Sequence, residues 1–184
     1  IHDEAPDNRI FSTGRGDATA VDTAIANAPI VIELELVNNR IACAAIEARA
    51  CLAIHDPVAD TTTLYDATQA PHLIRRSVTE ALGIPPAKLR VVAPDVGGGF
   101  GTKGKHYPEE TIVVWAARRI GRPVRWISTR SEAFISDTQA RDHLTTATLA
   151  LDNNGIFLGL RVNTLANMGA YISTFGASIP GAIY

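Results

Sequence analysis

Leu144-Thr-Thr-Ala-Thr-Leu-Ala-Leu-Asp-Asn-Asn-Gly-Ile-Phe-Leu-Gly-Leu-Arg-Val-Asn-Thr-Leu-Ala166 decides the fold class. Residues 144–151 and 156–166 alternate apolar and polar side chains, and the turn Asp152-Asn-Asn-Gly155 joins them. Period-two alternation around a Gly-containing polar turn is the signature of an antiparallel hairpin. A chain built only of strand-helix-strand repeats would not carry it. Working upstream, residues 124–127 read as a strand, followed by a short turn or helix around 131–135. Residues 107–120 form an amphipathic helix that opens on Pro108-Glu-Glu and stops at Gly121. Its acidic start and its Arg118-Arg119 end both suit the helix dipole. Residues 89–93 are a short buried strand, and 70–82 a helix with Pro71 in the first turn and Gly83 at the stop.

Further upstream, residues 47–54 and 62–66 are strand candidates separated by the turn His55-Asp-Pro-Val-Ala-Asp60. Residues 30–37 alternate as a half-exposed strand, and 19–27 form a short helix after a polar, turn-rich lead-in. Hairpins and strand-helix units are thus mixed, and the expected class is α+β with a mixed sheet. There is no internal repeat and no low-complexity linker.

The 184 residues, 46% of them hydrophobic, suffice for one substantial core or two small ones. Net charge is 17 − 19 = −2 with no basic block, which argues against nucleic acid or an anionic membrane surface as partner. No apolar run reaches a membrane span; the densest helical patch, 112–117, is ended by Arg118-Arg119. Cys43 and Cys51 lie eight apart, a spacing that suits neither a common zinc pair nor an Fe–S ligand set. Buried free thiols in a cytoplasmic protein are the expectation. The chain starts at Ile1, its sole Met is Met168, and it stops at Tyr184 with no closing element. It reads as part of a longer protein.

The most unusual stretch is Val91-Val-Ala-Pro-Asp-Val-Gly-Gly-Gly-Phe-Gly-Thr-Lys103. Consecutive glycines fit where the backbone takes positive φ or where a ligand approaches the peptide plane closely. The glycines run G-G-G-F-G, the next helix opens only near Pro108, and no acidic residue closes a following strand at the right distance, so a dinucleotide fingerprint fails. A phosphate loop fails as well, because Lys103 lacks the required glycine spacing. Two readings remain for the loop: a packing turn, or the wall of a cofactor site with Phe100 set against the bound group. Gln69, at a strand-to-helix junction, is either a polar cap or a group that donates to and accepts from a ligand. The two junctions could lie side by side at one end of a sheet.

Thr68-Gln-Ala-Pro-His72, Arg90 through Lys103, Gly121-Arg-Pro-Val-Arg-Trp126, Thr129-Arg-Ser-Glu132 and Asn167-Met-Gly-Ala-Tyr171 together resemble the large subunit of molybdenum hydroxylases. That group comprises xanthine dehydrogenase, aldehyde oxidase and aerobic carbon monoxide dehydrogenase. The resemblance runs in order over essentially the whole chain. It implies a molybdenum held by the dithiolene of a molybdopterin, often in its cytosine dinucleotide form, and an oxidoreductase that hydroxylates or oxidises an aldehyde, an N-heterocycle or carbon monoxide with water as oxygen source. It implies Fe–S and FAD groups on partner subunits or domains, and an oligomeric, cytoplasmic parent.

By position, Gln69 resembles the glutamine that hydrogen-bonds at the apical oxo side of the molybdenum. Gly98, Gly99, Phe100 and Gly101 resemble the loop that lines the site. No side chain ligates the metal, and the family's general-base glutamate lies downstream of this stretch. The chain alone is therefore expected to be inactive. Residues 1–28 are expected to lead in from a preceding domain and 29–184 to be part of the molybdopterin-binding domain. The family's Pro-Met-Glu-Pro-Arg appears here as Ala45-Ile-Glu-Ala-Arg49, keeping Glu47 and Arg49. For His72, Lys103, His106 and Arg130 the expected settings are a helix surface, a solvated loop, or an ion pair between Arg130 and Glu132. The rival readings are a non-catalytic binding or assembly protein, and a nucleotide-cofactor enzyme using the 97–101 loop.

Overall fold

The computed structural model describes residues 1–173 and 176–183, in two compact units. One unit comprises Ile1–Ile41 with Ala140–Tyr184, and the other Ala42–Gln139. The mixture of helices with antiparallel and parallel strand pairs is the α+β architecture that the sequence leads one to expect.

In the first unit, helix α1 (Ala18–Asn27) is opened by Asp17, whose carboxylate accepts the Ala20 N–H at 3.0 Å. Strand β1 (Ile30–Asn38) pairs antiparallel with β6 (His143–Leu151), which pairs antiparallel with β7 (Phe157–Ala166). The expected hairpin is therefore the centre of a three-stranded sheet of order β1-β6-β7. Its turn is closed by Asp152, which accepts the N–H groups of Asn154 and Ile156, both at 2.8 Å, while Gly155 takes φ +81°. Helix α1 packs on β7 and β6. Gly159 permits that approach: a Cβ there would stand 3.1 Å from the Ala24 methyl. Arg161 on β7 pairs with Asp22 on α1. Strand β1 departs from expectation in being exposed along nearly its whole length rather than on one face. The reason is that α1 lies over the neighbouring strands, and among the described residues no element of this unit covers the face carrying Ile32, Leu34 and Leu36.

The second unit is a four-stranded mixed sheet of order β4-β3-β2-β5. Strand β2 (Ala50–Asp56) pairs antiparallel with β3 (Thr61–Asp66) and with β5 (Val124–Ile127). Strand β4 (Leu89–Val92) pairs parallel with β3, joined to it through helix α2 (Pro71–Leu82). Helix α3 (Pro108–Ile120) crosses the same sheet and touches α2. The core is formed by Cys51, Ala53, Leu64, Ile74, Val78, Leu89, Val113, Val114 and Ala117. Burial pushes the Cys51 thiol far up, with the carboxylates of Asp66 and Glu110 adding to it, so this cysteine is an inert part of the core.

Both long helices stop where the glycines stand. Gly83 and Gly121 are left-handed (φ +64° and +65°) and donate their N–H groups back to the last turn. Helix α4 (Arg130–Ser136) fills the place expected for a turn or helix, because Thr129 and Glu132 form a reciprocal cap, with N–H···O distances of 2.7 and 3.2 Å. Strand β2 begins at Ala50, later than the expected residue 47. The backbone of Glu47 is engaged elsewhere, donating to the Gly97 carbonyl at 3.2 Å.

Candidate functional site

Strands β3 and β4 are parallel neighbours, so their carboxyl ends open at the same edge. Gln69 follows β3 and the 97–101 loop follows β4; this is the end of a parallel strand pair at which such sheets present ligand-contacting groups. The structure brings the two junctions into direct contact. The Gln69 side-chain oxygen accepts the Gly101 N–H at 3.0 Å, and the Gln69 N–H donates to the Lys103 carbonyl at 2.9 Å. The same carbonyl accepts the Thr68 hydroxyl at 3.0 Å. Since Oε1 of Gln69 takes a backbone N–H, the amide orientation is set. Its Nε2 remains a donor with no acceptor among the described residues.

The loop needs its glycines. Gly98 and Gly101 take φ +94° and +87°, and Phe100 is itself held at φ +51°. Such a conformation in a non-glycine residue is strained, and strain of this kind gathers at ligand-contacting turns. A Cβ on Gly99 would overlap the Gln69 amide, and one on Gly97 would lie 2.6 Å from the Cβ of Glu47. The loop is thus sandwiched between Glu47 and Gln69. The Phe100 ring lies over Gly98 and is 73% exposed. Within the loop, Gly97 donates to Glu47 and Gly98 to the Val96 carbonyl, whereas the N–H groups of Gly99 and Phe100 have no acceptor among the described residues. Three neutral donors at the loop are thus left without an acceptor among the described residues: two backbone N–H groups and the Gln69 amide. Such a set suits an anionic, oxygen-rich group. The glycines at 97 and 99 are required by the close packing of the loop against Glu47 and Gln69.

Behind the loop lies an arrangement that sequence reasoning missed. Lys103, expected in a solvated loop, is buried, with its Nζ 2.6 Å from the Glu47 carboxylate. A buried ammonium is tolerated only when paired, and Glu47 supplies the partner. The hydrogen bond from Lys103 holds the Glu47 carboxyl below its ordinary range despite some burial. Arg49 is buried between the rings of Tyr107 and Trp126, 3.7 and 4.9 Å from their centres, and pairs with Asp137 (2.6 Å) and Glu109 (3.1 Å). Burial opposes its charge, and the two carboxylates override that, raising its pKa.

Asp66 and Glu110 are buried acids. Desolvation pushes Asp66 up to about 7 against the pull of Arg49 and Lys103, and pushes Glu110 up to about 8 with Asp66 adding to it. One oxygen of Asp66 has no hydrogen-bond partner among the described residues. The signals available in the sequence were Glu47 and Arg49 in the Ala45–Arg49 motif, and Lys103 closing the glycine run.

The other polar residues fall as follows. His72 lies on the exposed surface of α2, as expected. His106 shares a 2.7 Å hydrogen bond with Thr111, and burial lowers its pKa. Arg130 does not pair with Glu132, which is committed to capping α4; it donates instead to the Ile46 carbonyl at 2.6 Å. Among the described residues, no group of His, Cys, Asp and Glu gathers as a metal-ligand set, and no helix is long and apolar enough to cross a membrane.

The whole chain, residues 1–184, matches the model of the molybdopterin cofactor-binding domain. It is 40% identical over 164 residues to the carbon monoxide dehydrogenase large chain of Hydrogenophaga pseudoflava, covering 89% of this chain and 20% of that one. It is 33% identical over 168 residues to the nicotine 6-hydroxylase large subunit of Paenarthrobacter nicotinovorans, covering 91% and 20%. Among solved structures, quinoline 2-oxidoreductase from Pseudomonas putida 86 superposes with a TM-score of 0.80 at 34% identity, over 84% of this chain and 20% of that one. The chain thus spans about a fifth of the length of these relatives.

Proposed function

The chain belongs to the molybdopterin cofactor-binding domain family, and on that premise we propose that the 97–101 loop and Gln69 form one wall of the molybdenum site of a molybdenum hydroxylase large subunit. The observation that carries this reading is the contact between the two junctions. The Gly101 N–H holds the Gln69 oxygen at 3.0 Å, so the amide nitrogen is left to donate alongside the Gly99 and Phe100 N–H groups. These donors fit an oxo-bearing anionic centre. Gly98, Gly99 and Gly101 let the backbone approach it, and Phe100 flanks it as an apolar wall.

When bound, the molybdenum cofactor supplies the two-electron oxidation in which oxygen from water is delivered to the substrate. The residues of this chain bind and orient it: Gln69 and the loop amides donate, and no side chain here takes the role of metal ligand or general base. The substrate is a small molecule of the class the relatives act on, an N-heterocycle, an aldehyde or carbon monoxide. Electrons leave to Fe–S and FAD groups on partner subunits or domains of a cytoplasmic, oligomeric enzyme. A nucleotide reading is not favoured by the geometry. The loop runs into a single 3-10 turn, Thr102–Gly104, and the next helix opens only at Pro108, so no long helix N-terminus faces the loop for a pyrophosphate.

The test is made on the protein at its full natural length, loaded with cofactor. Gln69→Ala is expected to lower turnover at least tenfold, the scale of losing a charge-stabilising donor, while shifting the melting temperature by less than about 2 °C. Unchanged turnover would refute the role of Gln69.

A further inference from the structure

The ion pair behind the glycine loop ties the two halves of the wall together. Lys103 contributes twice. Its backbone carbonyl accepts the Gln69 N–H at 2.9 Å and the Thr68 hydroxyl at 3.0 Å, holding the first junction. Its side chain, 2% exposed, reaches the Glu47 carboxylate at 2.6 Å. The same Glu47 oxygen accepts the Gly97 N–H at 2.8 Å, and the Glu47 N–H donates to the Gly97 carbonyl at 3.2 Å. Gly97 is thereby gripped on both its backbone groups by one residue.

On the far side of the loop, Gly99 is pressed against Gln69 so closely that no Cβ fits. The distance between the loop and Gln69 therefore depends on how far the Glu47 carboxylate reaches.

We propose that Glu47 is a positioning residue for the cofactor wall: the reach of its side-chain acceptor, which takes the Gly97 N–H, sets the 97–101 loop against Gln69 so that the Gly99, Phe100 and Gln69 donors face the molybdenum cofactor as one array. This rests on the reading of the site given above. An ion pair serving stability alone would, when its acid is shortened, lower the melting temperature without singling out the loop. A positioning device would loosen residues 97–101 beyond that general loss.

The test uses the protein at its full natural length, with three readouts: amide hydrogen exchange of residues 97–102 without cofactor, molybdenum bound per chain after loading, and melting temperature. Glu47→Asp keeps the charge and withdraws the carboxylate by one methylene. It also lengthens the contact with buried Lys103, so the melting temperature is expected to fall; exchange in the 97–102 loop is expected to rise at least tenfold more than in strands β2 and β3, and bound molybdenum to fall at least fivefold. The double variant Glu47→Gln with Lys103→Met keeps an acceptor of the same reach and leaves no buried charge. It is expected to retain both values within twofold.

Glu47→Asp with wild-type exchange and wild-type molybdenum would overturn the proposal. Should Glu47→Asp fail to fold, the double variant decides: a fivefold loss of molybdenum there would show that charge rather than reach matters, and would overturn it. A wild-type protein that takes up no molybdenum would instead refute the reading of the site itself.

Discussion

At the scale of single residues, the site is organised by what cannot be there. Gly99 has no room for a Cβ beside Gln69, and Gly97 has none beside Glu47, so the glycines of the loop are required by packing as well as by φ. That much was legible: a run of glycines around one aromatic ring marks a turn that a side chain would spoil. The burial of Lys103 was not legible, because a lysine next to a polar loop ordinarily reaches water. Its partner lies 56 positions earlier in the chain, and nothing local to either residue announces the pair.

The same holds for Asp66, which ends an alternating strand yet is enclosed. Its carboxyl sits at about 7, pushed up by burial, against about 3.9 in an unfolded chain. The folded state therefore favours the protonated form. Its contribution to stability is complete below pH 4 and is lost as pH rises through 7; Glu110 behaves alike through about 8. Urea unfolding of the chain is expected to show stability falling between pH 5 and 8, with Asp66 alone contributing on the order of 3 kcal/mol. In Asp66→Asn that slope should be visibly flatter. An unchanged slope would mean that Asp66 is not a buried acid.

At the scale of elements, local chemistry was a good guide wherever a signal is local. The stops at Gly83 and Gly121, the Pro-opened starts of α2 and α3, and the Asp152–Gly155 turn all follow from residues within one turn of the feature they control. Gly83 is left-handed with nothing within 4 Å of where its Cβ would stand, so Gly83→Ala isolates the conformational penalty. It should destabilise the chain by about 1 kcal/mol in equilibrium unfolding, and a neutral result would mean that the helix ends elsewhere.

Elements whose limits depend on distant partners were read less well. Strand β2 starts late because the Glu47 backbone binds Gly97 rather than a neighbouring strand. Strand β1 has the alternation of a half-covered strand, but the helix that would cover it packs on β6 and β7. Arg130 looked like a partner for Glu132 three residues after Thr129, yet the helix cap claims that carboxylate first.

At the scale of the whole molecule, the two units each have their own sheet, and the candidate site belongs entirely to the Ala42–Gln139 unit. The motifs that identify the family extend through both, from Thr68-Gln-Ala-Pro-His72 to Asn167-Met-Gly-Ala-Tyr171. Family membership was thus readable from sequence, because five motifs recur in order along the chain, each a short local pattern. The supporting network of Glu47, Lys103 and Arg49 was not, because its roles exist only once the unit has folded.

A 97–101 loop that walls a molybdenum cofactor site should lose the cofactor when it is forced away from Gln69. The most direct measurement is the molybdenum and pterin content of the protein at its full natural length, purified from a host that makes the cofactor, beside Gly99→Val. The account predicts one molybdenum and one pterin per wild-type chain and at least a tenfold loss of both in Gly99→Val, whose side chain would collide with Gln69. Wild-type protein free of molybdenum, or Gly99→Val with a full complement, would contradict it.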